Sequence, residues 1–165
     1  MTSASIIEQW GRTHIHNSRF LGVYPADRLP EPDDFEPPVS AVCNYDPAHM
    51  PGSHWGAVLI RPLSVEWFDS FGLAPDSSDL FIGHRTYFRA WLPRVCRRFG
   101  LNSYEYNRAD LQSLGEVTCG HWAAYFAKMG AETGWGALAP TGKKTTDSFD
   151  SWSDSASDHK SVALI

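Results

Sequence analysis

Four side chains with complementary chemistry occur in one order along the chain. His54 and Asp69 flank two short apolar runs, Gln112 follows them, and Cys119 stands directly before Gly120. A thiol attacks a carbonyl carbon, an imidazole takes up and returns its proton, a carboxylate orients the imidazole, and an amide donates to the oxyanion that forms. The set therefore contains the groups that nucleophilic hydrolysis of an acyl bond requires.

Each of these residue types also has a plainer interpretation. A single histidine on an apolar strand is more often a structural residue, and a single glutamine commonly lies at the surface. A cysteine in an apolar segment is most often buried for packing. The order of the four, with a glycine after the cysteine and an acid on the neighbouring strand, favours the catalytic interpretation.

The elements that must position these groups follow from hydrophobic spacing. A capping-box pattern at Ser5 and Glu8 predicts an opening helix over residues 5–16. The proline-rich stretch 22–38 is predicted to be irregular. Strands are predicted over residues 40–45, 54–60, 65–71 and 101–107, and helices over residues 84–99 and 119–129. Pro93 should kink or split the helix that contains it. The predicted order is one helix, three strands, a helix, a strand and a helix.

The hairpin between the second and third predicted strands sets which residues face each other. A loop over residues 60–63 would place His54 directly opposite Asp69, so that both side chains share one face of the sheet. On this register Glu66 points to the other face. Asp69 is therefore the predicted partner of the imidazole.

The position of Cys119 predicts a reactive thiolate. In the first turn of its helix, unpaired backbone donors and the helix dipole favour negative charge on sulfur, and a nearby imidazolium would favour it further. Gly120 would let a substrate backbone approach closely, and the amide of Gln112 would donate to the oxyanion. Trp55, next to His54, would shield the ion pair from water, although an aromatic residue at this position is as readily part of the core. Trp55 and Gly120 are thus predicted to contact substrate.

Composition limits the class of protein. The chain has 165 residues, of which 42% are hydrophobic, together with three cysteines and a net charge of −5. These values predict one domain over residues 1–140 and a disordered Ser- and Asp-rich tail over residues 141–165. Without an even set of cysteines, a signal pattern or a membrane-spanning run, a soluble intracellular protein with reduced thiols is predicted. The net charge argues against a surface built entirely for nucleic acid.

A metal site is the competing use of the other chemistry-bearing residues. His14 and His16, with Cys43 or His49, offer ligand types, but their spacing matches no common zinc pattern. No metal is therefore predicted. His121, in the predicted last helix, is interpreted as a structural residue rather than as part of a cleft.

Several stretches of the sequence are similar to one protease family. The segments are RFLGVYPADRLP at Arg19–Pro30, PGSHW at Pro51–Trp55 and FDSFG at Phe68–Gly72. Gln112 and Cys119 follow, seven positions apart. In these motifs and in the order His, acid, Gln, Cys, the chain resembles the adenovirus-type maturation protease, adenain, within the superfamily of ubiquitin-like-protein proteases. Papain has its cysteine first, so that family is not matched.

The resemblance implies an α+β cysteine-protease fold in which a mixed sheet packs against helices and the catalytic cysteine begins a buried helix. It implies a thiol endopeptidase that cleaves viral precursor proteins after small residues, typically glycine, in the host nucleus and the virion. His54 would be the general base, Asp69 its orienting partner, Cys119 the nucleophile and Gln112 the oxyanion donor. Asp69 stands where many members of the family have glutamate.

The resemblance also implies activation by a viral peptide and by DNA, with no cofactor needed for the chemistry. No cysteine matches the peptide's attachment point, because Cys96 is predicted to be core and Cys43 lies in a predicted strand. The candidates for DNA contact are arginines in and beside one predicted helix, although such charge is often only a solvated face: Arg85, Arg89, Arg94, Arg97 and Arg98. Two alternatives stay open, a protease of ubiquitin or SUMO conjugates and a catalytically inactive virion-associated binding module.

Overall fold

A computed structural model describes residues 2–16, 19–75, 86–108, 110–112, 116–132 and 160–163 of the chain. The α-helices are α1 (Ala4–His14), α2 (Thr86–Arg98) and α3 (Cys119–Glu132). The strands are β1 (Phe20–Tyr24), β2 (Val39–Asn44), β3 (Trp55–Ile60), β4 (Val65–Asp69), β5 (Ser103–Tyr106) and β6 (Lys160–Ala163). Short 3₁₀ turns at Ala26–Arg28 and Pro32–Asp34 lie between β1 and β2.

The strands form one mixed sheet in the order β1-β2-β3-β4-β5-β6. β1 pairs in parallel with β2, and β4 in parallel with β5, whereas β3 is antiparallel to both β2 and β4. β2, β4 and β5 therefore end at the edge of the sheet where β3 begins. The protein is of the α+β class with a mixed sheet and helices, as the sequence predicted at that level.

Each face of the sheet carries its own hydrophobic core because side chains alternate along the strands. Helices α1 and α3 cover one face, where the buried residues include Ile7, Phe20, Leu59, Phe68, Ala123 and Phe126. Helix α2 covers the other face, where the buried residues include Val58, Ile60, Trp67, Phe88, Leu92 and Val95. Burial of each large apolar side chain stabilises the fold by about 1.5–3 kcal/mol.

Two strands lie where the sequence predicted none. β1 overlaps the start of the stretch predicted to be irregular, and its hydrogen bonds come from the parallel strand β2, which follows it in sequence. The predicted disordered tail, residues 141–165, lies outside the described residues except for β6, which pairs antiparallel with β5. Short edge strands of this kind carry little periodic signal, because their pairing comes from distant residues.

Pro93 does not split its helix, which was one of the two effects predicted for it. Helix α2 runs without interruption from Thr86 to Arg98 with Pro93 inside it. Phe88, Leu92, Val95 and Cys96 are fully buried on the face of α2 that meets the sheet. Tertiary packing of this apolar stripe outweighs the loss of one helical hydrogen bond.

The predicted hairpin register is wrong by two residues. Asp69 pairs with Gly56 rather than with His54, because the loop spans residues 61–64, one position later than predicted. A hydrogen bond from the Arg61 amide to the Ser64 carbonyl, 2.8 Å long, closes that loop. A shift by two preserves which face each side chain occupies, so His54 and Asp69 still share a face.

Among the described residues, no helix is both long and apolar enough to cross a membrane.

Replacing Gly130 by alanine should destabilise the fold. A Cβ at this position of α3 would lie 2.3 Å from Cδ1 and 2.9 Å from Cγ of Leu59, a side chain that is fully buried in β3. Overpacking of this severity costs up to about 3 kcal/mol, against about 1 kcal/mol that alanine gains in helix propensity. Chemical denaturation followed by circular dichroism measures the difference.

The double variant Leu59→Ala/Gly130→Ala provides the control. Truncating Leu59 removes the clashing methyl groups, so the loss of stability in the double variant should be smaller than the sum of the two single losses. Strict additivity would show that close contact between α3 and β3 is not what requires the glycine.

Candidate active site at the sheet edge

The candidate site is built at the edge where β2, β4 and β5 end and β3 begins. Tyr45 follows β2, His54 precedes β3, Asp69 is the last residue of β4, and Asn107 follows β5. The Tyr45 amide donates to the His54 carbonyl at 3.0 Å, which continues the pairing of β2 with β3. Cys119 begins α3 at this same edge, so strand topology gathers residues that are far apart in sequence.

His54 and Asp69 are hydrogen-bonded in the interior. Nε2 of His54 lies 3.2 Å from Oδ1 of Asp69, and both residues are buried. The imidazole stacks on Phe71, with ring centroids 4.9 Å apart and planes inclined by 24°. Because Asp69 engages Nε2, Nδ1 is left for the sulfur of Cys119. The predicted pairing is thus present, although it forms diagonally across the strands.

Asp69 is itself held by several donors. The backbone amide of Phe71 donates to Oδ1 at 2.7 Å, and the hydroxyl of Tyr45 donates to Oδ2. The side chain of Asn107 bonds both backbone groups of Asp69, accepting from its amide at 2.8 Å and donating to its carbonyl at 2.6 Å. The indole of Trp67 donates to the Tyr45 hydroxyl at 3.2 Å. A carboxylate fixed in this way restricts the orientation of the imidazole.

Cys119 occupies the first helical position of α3. The Thr118 carbonyl accepts from the amides of His121 and Trp122 at 2.9 and 3.1 Å, which marks Thr118 as the residue that begins the helical hydrogen bonding. Burial raises the pKa of the Cys119 thiol, but a hydrogen bond and charge from His54 and backbone hydrogen bonds at Trp55 and Gly120 outweigh it. The pKa is therefore lowered from its ordinary value, as a reactive thiolate requires.

The imidazole shows the opposite shift. Burial lowers the pKa of His54, but hydrogen bonds and charges from Asp69 and Cys119 raise it to about 9. A lowered pKa of the Cys119 thiol beside a raised pKa of the His54 imidazole favours transfer of the thiol proton to His54, which gives a thiolate–imidazolium pair.

Gln112 is buried and fixed by two hydrogen bonds. Its Oε1 accepts from the hydroxyl of Ser70 at 2.9 Å, and its Nε2 donates to the Glu116 carbonyl at 2.6 Å. Ser70 follows Asp69 directly, and Glu116 lies three residues before Cys119, so Gln112 joins the end of β4 to the approach to α3. An amide nitrogen carries two hydrogens, and the bond to Glu116 uses one of them.

Trp55 and Gly120 lie together, and both pack against Thr2. The indole nitrogen of Trp55 donates to the Thr2 carbonyl at 3.2 Å. A Cβ placed on Gly120 would lie 2.9 Å from Ile7, 3.2 Å from Thr2 and 3.2 Å from Trp55. Close packing of Ile7 in α1 and of Thr2 against this position thus accounts for the glycine. Contact of Trp55 and Gly120 with substrate stays a prediction.

The arginines predicted to contact DNA are partly engaged with acids of the same chain. Arg98 bonds Asp33 at 2.8 Å and Glu36 at 3.0 Å, and Arg94 bonds Glu31. These acids lie in the segment between β1 and β2, which packs beside α2. Arg89 and Arg97 are exposed, and Arg85 lies outside the described residues. The role of these arginines in DNA binding remains a prediction.

The other cysteines differ from Cys119. Cys43 and Cys96 are buried, and burial raises the pKa of both, that of Cys96 to about 11. Within the ranges that the structure describes, no group of three or more His, Cys, Asp or Glu residues is placed to hold a metal ion. His121, interpreted from sequence as structural, is exposed, and its Nδ1 lies 3.3 Å from the hydroxyl of Thr2.

Sequence reasoning missed the residues that support Asp69. The sequence predicts Tyr45 and Asn107 only as the last residues of two strands, yet the Tyr45 hydroxyl bonds the carboxylate of Asp69 and the Asn107 side chain bonds its backbone. The sequence signal for these residues is their position directly at the ends of strands. Polar residues that directly follow strands pointing the same way meet at one sheet edge, so strand direction is needed before the pattern can be recognised.

No protein-family model matches the chain, and a search of curated proteins finds no match.

Replacing His54 by alanine should raise the pH at which Cys119 becomes reactive. His54 provides the main contribution that lowers the pKa of the thiol, so its loss removes the largest lowering contribution, and the pKa should rise. In the intact protein the thiolate persists as the pH falls below the ordinary cysteine pKa. The rate of alkylation by iodoacetamide as a function of pH, with modified peptides identified by mass spectrometry, measures the midpoint.

The control is His14→Ala, a change of the same type on exposed α1, which should leave the midpoint where it is. An unchanged midpoint in His54→Ala would contradict the thiolate–imidazolium pair.

Proposed function

We propose that the protein is a cysteine peptidase in which Cys119 is the nucleophile. The observation that carries the proposal is the position of Cys119 at the start of α3 beside His54, whose imidazole is hydrogen-bonded to Asp69 and whose charge lowers the pKa of the thiol. The plainer interpretation of each residue does not account for a low-pKa thiol at a helix start beside a buried imidazole–carboxylate pair, since buried structural cysteines such as Cys43 have raised pKa values.

The reaction proceeds through an acyl-enzyme. The thiolate of Cys119 attacks the carbonyl carbon of the scissile peptide bond, and the electron pair of the C=O bond moves to oxygen. When the C–N bond breaks, His54 gives its proton to the leaving amine. Neutral His54 then takes a proton from water as the water attacks the thioester, and the carboxylic acid leaves with the thiolate restored. Asp69 holds the imidazole and stabilises its charged form, so it is a positioning residue.

The oxyanion is bound by the second hydrogen of the Gln112 amide and by backbone donors at the start of α3. The bonds from Ser70 and to Glu116 fix the Gln112 amide before substrate arrives. Donors that need no reorganisation stabilise developing charge more than flexible ones do. The helix dipole of α3 acts in the same direction on the negatively charged sulfur and oxygen.

The finer proposal rests on sequence resemblance alone. The motifs at Pro51–Trp55 and Phe68–Gly72, followed by Gln112 and Cys119, support an adenain-type fold and a viral maturation endopeptidase that cleaves precursor proteins after glycine. Activation by a peptide or by DNA belongs to the same proposal. Because Arg94 and Arg98 already bond acids of the chain, DNA would have to compete with those ion pairs, and any activation should weaken as salt rises.

One observation favours a second candidate, a binding module without turnover. Cys119 and His54 are each only 3% exposed, so a peptide cannot reach the sulfur in the conformation described. An inactive relative of a peptidase would retain the fold with a closed site of this kind. The two candidates differ in whether Cys119 turns over a peptide substrate.

Replacement of Cys119 by alanine or serine should abolish peptide hydrolysis while the fold persists. Removal of a catalytic nucleophile lowers kcat by up to about 10⁶-fold in hydrolases. A panel containing a peptide with a Gly-terminated cleavage site, a ubiquitin probe and a SUMO probe measures cleavage, and thermal melting checks folding. Cleavage of only the conjugate probes would favour the isopeptidase alternative.

Cys43→Ser is the matched control for this experiment, because it changes a cysteine that lies in β2 outside the proposed reaction. It should retain cleavage if it folds. Hydrolysis that survives in Cys119→Ala, or that is lost only in Cys43→Ser, would show that the nucleophile is assigned wrongly.

Replacement of Gln112 by alanine should lower kcat by about 10²–10³-fold, the loss that follows removal of one oxyanion donor. The rate at which iodoacetamide alkylates Cys119 should stay close to that of the unmodified protein, because alkylation forms no oxyanion. Both rates are measured on the same preparation.

The variant Ser70→Ala distinguishes the orientation of the Gln112 amide from its role as an oxyanion donor. It removes the hydroxyl that holds Oε1 of Gln112 but leaves the amide donor, so kcat should fall less than in Gln112→Ala. Equal losses in both variants would indicate that Gln112 acts only through the structure of the loop.

A further inference from the structure

Two cavities flank the candidate site and meet at Thr2. The first, here the helix cavity, has a volume of about 430 Å³ and is lined by residues of α1 and α3 that include Ile6, Trp10, Gly120 and Tyr125. The second, here the loop cavity, has a volume of about 400 Å³ and is lined by Tyr24, Asn44, Pro51 and Trp55 among others. Thr2 lines both of them.

Each cavity is lined by a residue that directly follows one member of the reacting pair in sequence. Gly120, at the helix cavity, follows Cys119, and Trp55, at the loop cavity, follows His54. A chain running from one cavity to the other would therefore pass over Gly120 and Trp55, next to the two reacting residues. This is the path that an extended substrate of a cysteine peptidase must take, because its scissile carbonyl has to meet the thiolate.

Thr2 blocks that path with specific contacts. Its carbonyl accepts from the indole nitrogen of Trp55 at 3.2 Å, and its hydroxyl lies 3.3 Å from Nδ1 of His121. Its Cβ lies 3.2 Å from the point that a Cβ on Gly120 would occupy. Thr2 is thus held with its carbonyl on an indole donor and its side chain next to a glycine.

Displacement of Thr2 would leave α1 intact. The helix begins after Ser3, whose hydroxyl accepts from the Ile6 amide at 3.4 Å and whose carbonyl accepts from the Ile7 amide at 3.2 Å. Ser3 thus supplies the cap, and Thr2 stands before it. No helical hydrogen bond of α1 depends on Thr2, so the residue can leave the groove while the helix stays packed on the sheet.

We propose that Thr2 occupies part of the substrate groove, and that an extended polypeptide substrate binds by displacing it and placing a backbone carbonyl on Trp55. The inference rests on the proposed peptidase function and specifies how its site opens.

The test compares the full chain with a chain that begins at Ser3, released from a cleavable fusion so that the helix cap remains. The readout is the rate constant for alkylation of Cys119 by iodoacetamide at fixed pH, with Cys43 and Cys96 followed by peptide mapping. Loss of two hydrogen bonds that hold the groove closed should raise the rate about tenfold. Cys43 and Cys96 should remain unmodified, which confirms that the fold has not opened elsewhere.

Two variants of the full chain complete the design. His121→Ala removes the partner of the Thr2 hydroxyl and should raise the rate by a smaller factor. Gln9→Ala, on the exposed face of α1, should leave it unchanged. Rates within twofold of each other for the full and the shortened chain would overturn the inference.

Peptide cleavage separates this inference from the function on which it rests. If the protein is a peptidase, the shortened chain should show a lower KM with little change in kcat, because substrate no longer competes with Thr2. Faster alkylation without cleavage of any peptide would support displacement and refute the peptidase. Cleavage with unchanged KM and unchanged alkylation would support the peptidase and refute displacement.

Discussion

The site depends on one buried carboxylate. Asp69 has no exposure to solvent and meets the imidazole of His54, the hydroxyl of Tyr45 and the backbone amide of Phe71. A carboxylate in such a setting is retained only when its oxygens are hydrogen-bonded, since an unpaired charge in the interior costs several kcal/mol. The same bonds that make the burial tolerable also fix the direction of the imidazole, and hence the place where a thiol can share its proton.

Much of the fold could be predicted from sequence because its central elements carry strong periodic signals. The opening helix, the strands β2 to β5 and the helix that starts at Cys119 all lie within a few residues of their predicted positions. The misses have physical causes. β1 and β6 gain their hydrogen bonds from distant partners, and the helix across Pro93 is held by packing on the sheet rather than by its own backbone bonds.

For the site, the candidate catalytic residues could be predicted from sequence, but the hydrogen bonds that hold them in place could not. His54, Asp69 and Cys119 come together as their order suggested, yet the hairpin places Asp69 opposite Gly56, and the pairing survives because a shift of two keeps the face. Sequence could not show that Trp55 and Gly120 are covered by Thr2, since no pattern links residues so far apart. The burial of a residue depends on how all the helices and strands pack together, so a short sequence motif does not predict it.

The ring of Tyr45 belongs to two layers of the molecule at once. Its centroid lies 5.0 Å from that of His54 and 5.1 Å from that of Phe88, which sits in the core beneath α2. Substitutions in α2 that alter this core can therefore tilt Tyr45 and, through its hydroxyl, the carboxylate beneath the histidine. A substitution on the buried face of α2 can therefore disturb the candidate site from the opposite face of the sheet.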